Sequence, residues 1–392
     1  MNTGVASINL SEIQRQRHET CFHTVRLALE YASKTMQQDV GPTDIPLSFP
    51  IITPDMDSAS VTGYHRAGIH LHHNDNEHTP ATNNTNHSKI IINSLSRYNA
   101  YREGFIFSNG EMFPFHNNNK SRDCMEDKTE DSQHEDDTLV LLSSFDQTMN
   151  TLFHSMHDDI ACPILEAIAT YLELNDKNWF QNTFGPTSLH SQWHVKRFVY
   201  PTSLSSMTCT TTPDNNNDTN NNNTDSNSME WLPTHTDPSL ISIIIHDAPY
   251  SVSGGMGLQY QMVQVPSHTT TTRMNPILWK EIPRHGHGIA TILVGSILST
   301  ITGNVFPSAK HRVIYTQSHK HDQFQNHRIA ATLFVRPRGD ALFVSPPSHK
   351  LSLFKMKEEK ILFSQWLKKV SRNYMKGKER DRMKERKNMN NP

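Results

Sequence analysis

The sequence is short of the features that build membrane spans and secreted proteins. Only 35% of its 392 residues are hydrophobic, and no apolar run approaches the 18 residues of a membrane-spanning helix. The N-terminus, MNTGVASINLSEIQRQR, lacks the apolar core of a signal peptide. The low hydrophobic share is local, because several polar tracts dilute an otherwise normal core. We therefore expect a cytoplasmic protein with no membrane partner.

Cysteine and net charge are also scarce. The four cysteines (Cys21, Cys124, Cys162 and Cys209) are far apart and form no CxxC pair. They are expected to be free thiols, which excludes a disulfide framework and a cysteine zinc site. The formal net charge is −2, so the protein has no overall positive electrostatic field that would favour nucleic acid as a partner. The sequence leaves the oligomeric state open.

Four polar tracts interrupt the chain. The histidine-rich residues 65–88 could bind a metal, but a solvated low-complexity loop is the favoured interpretation. Residues 123–137 lack the alternating ligands of a calcium loop and predict a disordered linker. Residues 205–228 predict a polar surface insertion. Residues 368–387 hold ten basic and three acidic side chains; a solvated tail is favoured over a nuclear signal or nucleic-acid contact.

Apolar spacing predicts three helices. Residues 9–38 and 139–173 repeat apolar side chains every three or four positions, the second with a kink or restart at Pro163. Residues 357–374 form a further amphipathic pattern near the C-terminus.

A candidate metal site lies in the stretch WLPTHTDPSL, at 231–240. His235 and Asp237 are two residues apart, so on an extended strand both side chains leave the same face. His311, in SAKHRVIY, offers a third ligand. Two histidines and one carboxylate form the facial triad that holds Fe(II) and leaves coordination positions open.

The segments around these residues come in a familiar order. After HTD come the apolar PSLISIII, then GGMGLQ, the strand pattern GIATILVGSIL at 288–298, TGNVFPSAKHRV and RIAATLFVRP at 328–337. This series resembles the isopenicillin N synthase-like branch of the Fe(II)/2-oxoglutarate-dependent dioxygenases, over roughly residues 193–350. The resemblance implies a mainly β protein with flanking helices and a double-stranded β-helix (jelly roll) core.

The resemblance also divides the chain. It implies a divergent N-terminal region at 1–138 and a dioxygenase domain at 139–350. That domain would consist of a bracing helix and a jelly-roll core at 193–345. A C-terminal helix and basic tail would follow at 351–392.

The family pattern assigns roles to several residues. His235, Asp237 and His311 would bind Fe(II), and Arg328 would bind the distal carboxylate of 2-oxoglutarate with its planar fork. Tyr200 stands before Pro201 where relatives place a tyrosine that helps hold this co-substrate.

Three further positions follow from the same alignment of motifs. Phe334 falls where relatives present an aromatic ring to the substrate, although a core role is equally compatible. Ala330 replaces a serine that binds the co-substrate carboxylate, and Ser296 replaces the aspartate of a Gly-Asp turn at Gly295.

The function that the resemblance implies is an oxidoreductase that oxidises a small organic substrate. It would use dioxygen, Fe(II) and 2-oxoglutarate, release succinate and CO2, and have ascorbate as a further candidate cofactor. Two alternatives stay open at this point. One is a 2-oxoglutarate-independent iron oxidase of the same fold, suggested by Ala330, and the other is a catalytically silent binding protein.

Overall fold

The structure is a computed structural model in which two antiparallel β-sheets face each other and helices cover the larger sheet. It describes residues 3–37, 63–65, 102–107, 144–198, 228–247, 257–262, 278–282, 288–316, 329–351 and 361–370. Tyr200 and Arg328 lie outside these residues.

Eleven strands are present in the described part of the chain. They are β1 (Val5–Asn9), β2 (Gly63–His65), β3 (Arg102–Phe107), β4 (Gln192–Phe198), β5 (Ser228–His235), β6 (Ile241–Asp247), β7 (Leu258–Met262), β8 (Leu278–Glu281), β9 (Ile289–Val294), β10 (His311–Thr316) and β11 (Ile329–Val335). The major sheet has the order β1-β9-β6-β11-β4-β3-β2, and the minor sheet has the order β5-β10-β7-β8. Three strands that precede residue 138 therefore belong to the major sheet.

The helices follow the apolar spacing of the sequence. They are α1 (Glu12–Gln37), α2 (Phe145–Met156), α3 (Cys162–Tyr171), α4 (Trp179–Phe184), α5 (Thr187–His190), α6 (Ser296–Ile301) and a last helix at 363–370. The predicted kink near Pro163 is a π-helical turn at His157–Ala161, and Pro163 lies in the first turn of α3, where proline is tolerated. The strand predicted to run to residue 298 ends at Val294, because Gly295 starts a turn into α6.

Two hydrophobic cores hold these layers together. The larger core packs α1, α2 and α3 against the outer face of the major sheet, with Phe22, Met149 and Trp193 fully buried. The smaller core lies between the sheets and includes Leu232 and Val313. Strand β6 is buried along its whole length because it lies inside the major sheet with helices on one side and the minor sheet on the other.

Two expectations about composition can be checked in the described residues. Cys21 and Cys162 are free thiols, as expected. Among the described helices none has the length and apolar character needed to cross a membrane.

Candidate metal centre

His235, Asp237 and His311 meet at one end of the space between the sheets. His235 ends β5, Asp237 lies in the connection to β6, and His311 begins β10. The antiparallel register of β5 and β10 sets His311 opposite His235. The Nε2 atoms of His235 and His311 lie 3.4 and 3.8 Å from Oδ1 of Asp237. Two ligands at ~2.1 Å from one metal lie at most about 4.2 Å apart, so these distances fit a shared ion.

Hydrogen bonds to the backbone orient both histidines so that Nε2 is the ring nitrogen at the site. Nδ1 of His235 lies 2.8 Å from the carbonyl oxygen of Pro233, and Nδ1 of His311 lies 3.0 Å from that of Ala309. Because a carbonyl oxygen only accepts hydrogen bonds, each Nδ1 carries the proton and donates it. In the neutral imidazole Nε2 is then the nitrogen with the lone pair, and the backbone contact fixes the orientation of the ring.

The ionisation of these groups also suits metal binding. Asp237 and His311 are each 4% exposed. Burial alone would raise the pKa of Asp237, but His311, His235 and the Ser242 hydroxyl hold that pKa well below its ordinary value. Burial and the neighbouring His235 lower the pKa of His311 to about 4. An ionised carboxylate and a neutral imidazole are the forms that bind a metal ion.

The depressed pKa of His311 predicts a pH dependence of stability. Between about pH 6.5 and pH 4 the unfolded chain binds a proton at His311 that the folded protein does not bind. The free energy of unfolding of the metal-free protein should therefore fall as the pH is lowered through this window, by up to about 1.4 kcal/mol per pH unit. Denaturant titrations of wild type and His311→Gln at several pH values measure the slope. The variant should lack the part of the pH dependence that comes from His311. Equal slopes of the free energy of unfolding against pH in the two proteins would contradict the prediction.

A tight turn at Gly295 holds the segment that carries Asp237. The amide of Ser296 donates to the carbonyl oxygen of Asp237 at 2.8 Å, and the Ser296 hydroxyl donates to the same oxygen at 2.9 Å. The amide of Gly295 donates to the carbonyl oxygen of Leu240 at 2.9 Å. A Cβ at Gly295 would lie 1.9 Å from the carbonyl oxygen of Ser239, so a larger residue does not fit. Ser296, which replaces the family's aspartate, thus supports the turn through the backbone of Asp237.

Gly295→Ala should destabilise the folded protein by about 3 kcal/mol, because the added methyl group meets backbone that cannot move aside. It should also weaken metal binding by displacing the Asp237 segment. The matched control is Gly288→Ala, whose Cβ would lie 3.4 Å from the Arg15 side chain, an ordinary contact. Urea titrations compare the free energies of unfolding of the two variants. An equal loss of stability in both would show that the close approach of the Ser239 backbone does not require glycine at position 295.

A cavity of about 390 Å³ opens beside the three residues, between the two sheets. Alternate residues of β3, β4 and β11 form its wall on the major sheet, because alternate side chains leave the same face of a strand. Three cations line it: Arg102, Lys196 and Arg336. Asp237 is the one carboxylate among the described residues of the lining. The minor sheet contributes apolar side chains, namely Leu232, Leu258 and Val313.

The sheet register separates two ends of this cavity. Ser242, whose hydroxyl helps to lower the pKa of Asp237, pairs across the sheet with Phe334 on β11. We call this the metal end, and Arg336 lies two residues beyond Phe334. Ala330 lies four residues before Phe334 and pairs with Lys196 on β4, which defines the inner end. Four residues of strand span about 13 Å.

Lys196 at the inner end is a cation that the sequence pattern did not reveal. It also pairs with Gly104 on β3, where a Cβ would lie 3.0 Å from Cγ of Lys196. Gly104 has a φ of 152° and therefore both adopts a backbone that favours glycine and leaves room for the lysine stem. Burial, and then Arg102, lower the pKa of Lys196 well below its ordinary value. An anion bound here would relieve that destabilisation of the charged form.

Phe334 is half-buried at the metal end and lines the cavity, with its ring centroid 5.3 Å from that of His194. Its predicted contact with substrate stays a prediction, as do the roles of Tyr200 and Arg328, which lie outside the described residues. No signal in the sequence identified Lys196, because alternation along β4 does not show which face of the strand lies towards the cavity.

A second group of ligand-type side chains lies on the π-helical turn. Nδ1 of His157 is 2.6 Å from Oδ1 of Asp158 and 3.7 Å from Sγ of Cys162. Burial, followed by the nearby Asp158 and Glu166, raises the pKa of Cys162 to about 11. The thiol is therefore protonated at neutral pH and does not present the thiolate that binds metal ions. Of the two groups in the described residues, the His-Asp-His site is the better metal candidate.

The chain is similar in structure to solved oxygenases. A full-length protein of Neurospora crassa, crystallised in complex with alpha-KG, matches with a TM-score of 0.54 and 16% identity, over 95% of this chain and 87% of that one. A protein assigned to the 2OG-Fe(II) oxygenase family from Caulobacter crescentus matches with a TM-score of 0.52 and 16% identity, over 95% and 90% of the two chains. These likenesses confirm the predicted jelly-roll fold with flanking helices.

Similarity in sequence is confined to a short stretch. Over 87 residues the chain is 36% identical to the oxidoreductase vrtI of Penicillium aethiopicum, which is 22% of this chain and 20% of that protein. The match thus spans about a fifth of the length of this curated relative. No family model matches the chain. The fold is that of these solved structures, and activity is inferred from the residues of the site.

Proposed function

We propose that the protein is a non-haem Fe(II)- and 2-oxoglutarate-dependent oxygenase that oxidises a small organic substrate with dioxygen. The observation that carries the proposal is the arrangement of His235, Asp237 and His311. Their ligand atoms converge within 4.8 Å, and hydrogen bonds from Nδ1 to the backbone orient both imidazoles with Nε2 towards Asp237. This donor set suits Fe(II), and three ligands leave positions open for a co-substrate and dioxygen.

Each part of the site has a separate task. His235, Asp237 and His311 would hold Fe(II). With 2-oxoglutarate bound, the iron would supply the activation of dioxygen for oxidation of a substrate C–H bond, with release of succinate and CO2. The backbone carbonyls of Pro233 and Ala309 hold the Nδ1 protons and orient both rings, so that Nε2 is the atom with which each imidazole would bind the metal. Apolar side chains of the minor sheet line the cavity opposite the major sheet and would limit the access of water.

The inner end of the cavity suits the distal carboxylate of 2-oxoglutarate. Lys196 lies across the sheet from Ala330, the position of the family's carboxylate-binding serine. Its ammonium group offers a charged donor where the serine hydroxyl is missing. Arg328 and Tyr200 are proposed to contribute to the same carboxylate site.

The metal end is where the substrate would meet the oxidant, with Phe334 as the proposed aromatic contact. A cavity of about 390 Å³ suits a small molecule rather than a macromolecule. We further propose a cytoplasmic location, with nuclear entry through the basic tail as the alternative.

The proposal is tested by anaerobic titration of the purified full-length chain with Fe(II) and then 2-oxoglutarate. We expect a weak visible metal-to-ligand charge-transfer band that depends on both additions. Bound iron without a band would favour the 2-oxoglutarate-independent oxidase, which Ala330 suggests. Absence of iron binding would contradict the enzyme and favour the catalytically silent barrel.

A further inference from the structure

One row of side chains crosses the cavity wall on the major sheet, midway between the two ends of the cavity. The register sets Thr332 on β11 opposite His194 on β4 and opposite Ile244 on β6. His194 in turn pairs with Ile106 on β3. All four side chains line the cavity, and we call them the middle row. Two residues of strand, or about 7 Å, separate this row from the residues that define either end.

The polar atoms of the middle row have no hydrogen-bond partner in the described part of the protein. This holds for both ring nitrogens of His194 and for the hydroxyl of Thr332. None of these atoms is fully buried, so they are open to the cavity rather than sealed inside the sheet. Polar groups in the interior of a protein are normally hydrogen-bonded. A bound molecule is therefore the partner that the arrangement indicates.

The two polar side chains of the row are uncharged groups that both donate and accept. Burial, followed by Lys196 and Arg102, lowers the pKa of His194 well below its ordinary value, so its imidazole is neutral at pH 7. A neutral imidazole donates at one nitrogen and accepts at the other, and a threonine hydroxyl does both. The pair can therefore donate two hydrogen bonds to a carbonyl oxygen, or donate to and accept from a hydroxyl group.

Apolar side chains surround this polar pair. Ile106 and Ile244 flank it within the row. Phe334 contacts His194 from the metal end, with ring centroids 5.3 Å apart. The minor sheet faces the cavity with three more apolar side chains, Leu232, Leu258 and Val313. An uncharged oxygen costs much less to transfer into such surroundings than a charged group does. The middle row therefore favours a neutral polar group on an apolar frame.

We propose that His194 and Thr332 bind an uncharged oxygen of the substrate, a hydroxyl or a carbonyl, while the apolar frame of the substrate lies against Phe334 towards the metal end. The substrate class is thus a neutral, mainly apolar molecule that carries such an oxygen. This inference rests on the proposed function and names the substrate class of the same site. His194 and Thr332 are assigned to substrate selection, separate from the metal ligands and the proposed co-substrate residues.

The test uses probes of matched shape that differ in one polar group. The full-length protein, loaded anaerobically with Fe(II) and 2-oxoglutarate, is titrated calorimetrically with two pairs. Acetophenone is compared with isopropylbenzene, in which a methyl group replaces the carbonyl oxygen. Benzyl alcohol is compared with ethylbenzene, in which a methyl group replaces the hydroxyl. Benzoate has nearly the shape of acetophenone and carries a charge, so it tests recognition of an acid instead.

The variants His194→Phe and Thr332→Val keep most of the side-chain volume and remove the hydrogen-bonding atoms. Their matched controls are His190→Phe, at a half-buried histidine, and Thr291→Val, at a buried threonine, both outside the described cavity lining.

We expect at least one oxygenated probe to bind about tenfold or more tightly than its hydrocarbon, because two net hydrogen bonds are lost in the hydrocarbon. His194→Phe and Thr332→Val should each lower this ratio about threefold or more, and the controls should keep it. A purely structural role would weaken both members of a pair alike and leave the ratio unchanged. The proposal is overturned if no oxygenated probe is preferred, if benzoate binds more tightly than acetophenone, or if either variant keeps the full preference.

Failure of the proposed function would look different, because wild-type protein would then show no charge-transfer band. The same pairs, titrated into metal-free protein, would still report whether the middle row selects an uncharged oxygen. A preference that is present in metal-free protein and lost once 2-oxoglutarate is bound would assign the row to the co-substrate and overturn the proposal. A normal band in both variants shows that their iron and co-substrate sites are intact.

Discussion

Asp237→Ala should lower the affinity for Fe(II) by more than about 100-fold and abolish the charge-transfer band with 2-oxoglutarate. Loss of a residue that only orients a metal ligand typically costs about 10- to 100-fold in metal affinity, and Asp237 is proposed as a direct ligand. It is also the one negatively charged member of the site, so its removal takes away the attraction that offsets desolvation of the ion. Equilibrium binding of Fe(II) under anaerobic conditions measures the change.

The matched control is Asp340→Ala, which removes an exposed aspartate that pairs with Arg338. It should bind Fe(II) as wild type does. Thermal denaturation separates ligand loss from unfolding, because Fe(II) should raise the melting temperature of wild type and of the control but not of Asp237→Ala. Undiminished stabilisation of Asp237→Ala by Fe(II) would exclude Asp237 as a ligand.

The sequence was sufficient to predict the fold and to predict that His235, Asp237 and His311 lie together. His235 and Asp237 are two residues apart, so any extended backbone places them on one face. His311 could be added because its segment follows the order of the family's strands. The jelly roll was implied by the family resemblance that this order of segments carries, and the structural neighbours confirm it.

The cations of the cavity could not be found in the same way, because they depend on pairing between distant strands. Lys196 and Arg197 are adjacent in sequence and look alike, yet they leave opposite faces of β4. Arg197 pairs with the carboxylate of Glu103 away from the cavity lining, whereas Lys196 faces Ala330 across the sheet. Only the register of β3, β4 and β11 decides which of these charges enters the cavity.

The end of β9 was also missed, for a local reason. The apolar run GIATILVGSIL reads as one strand, but the approach of the Ser239 backbone to Gly295 forces a turn there. That contact joins residues far apart in sequence, so apolar spacing alone does not reveal it.

Lys196→Met should weaken binding of 2-oxoglutarate by about 30-fold or more. Loss of one partner of a buried, hydrogen-bonded charge pair costs about 2–5 kcal/mol, which is roughly 30-fold to several thousand-fold in affinity. Methionine keeps much of the volume and removes the charge. Titration of the charge-transfer band with 2-oxoglutarate, at saturating Fe(II), measures the dissociation constant, and Lys280→Met on the exposed face of β8 is the control.

The metal-free variant should be as stable as wild type or more so, because Lys196 is a buried cation near Arg102 whose charged form the fold disfavours. A loss of co-substrate affinity without a loss of stability would therefore separate binding from a structural role. Unchanged affinity in Lys196→Met, with a large loss in Arg328→Gln, would instead assign the distal carboxylate to Arg328 alone.

Proton linkage gives an independent readout of the same residue. Because the pKa of Lys196 is lowered without an anion, arrival of the co-substrate carboxylate should raise it and draw a proton from solvent. Calorimetric titrations of 2-oxoglutarate in two buffers with different ionisation enthalpies should show this proton uptake in wild type and not in Lys196→Met. If both proteins take up the same number of protons, Lys196 does not face the co-substrate. The inner end would then have to bind its anion through Arg328 or Tyr200.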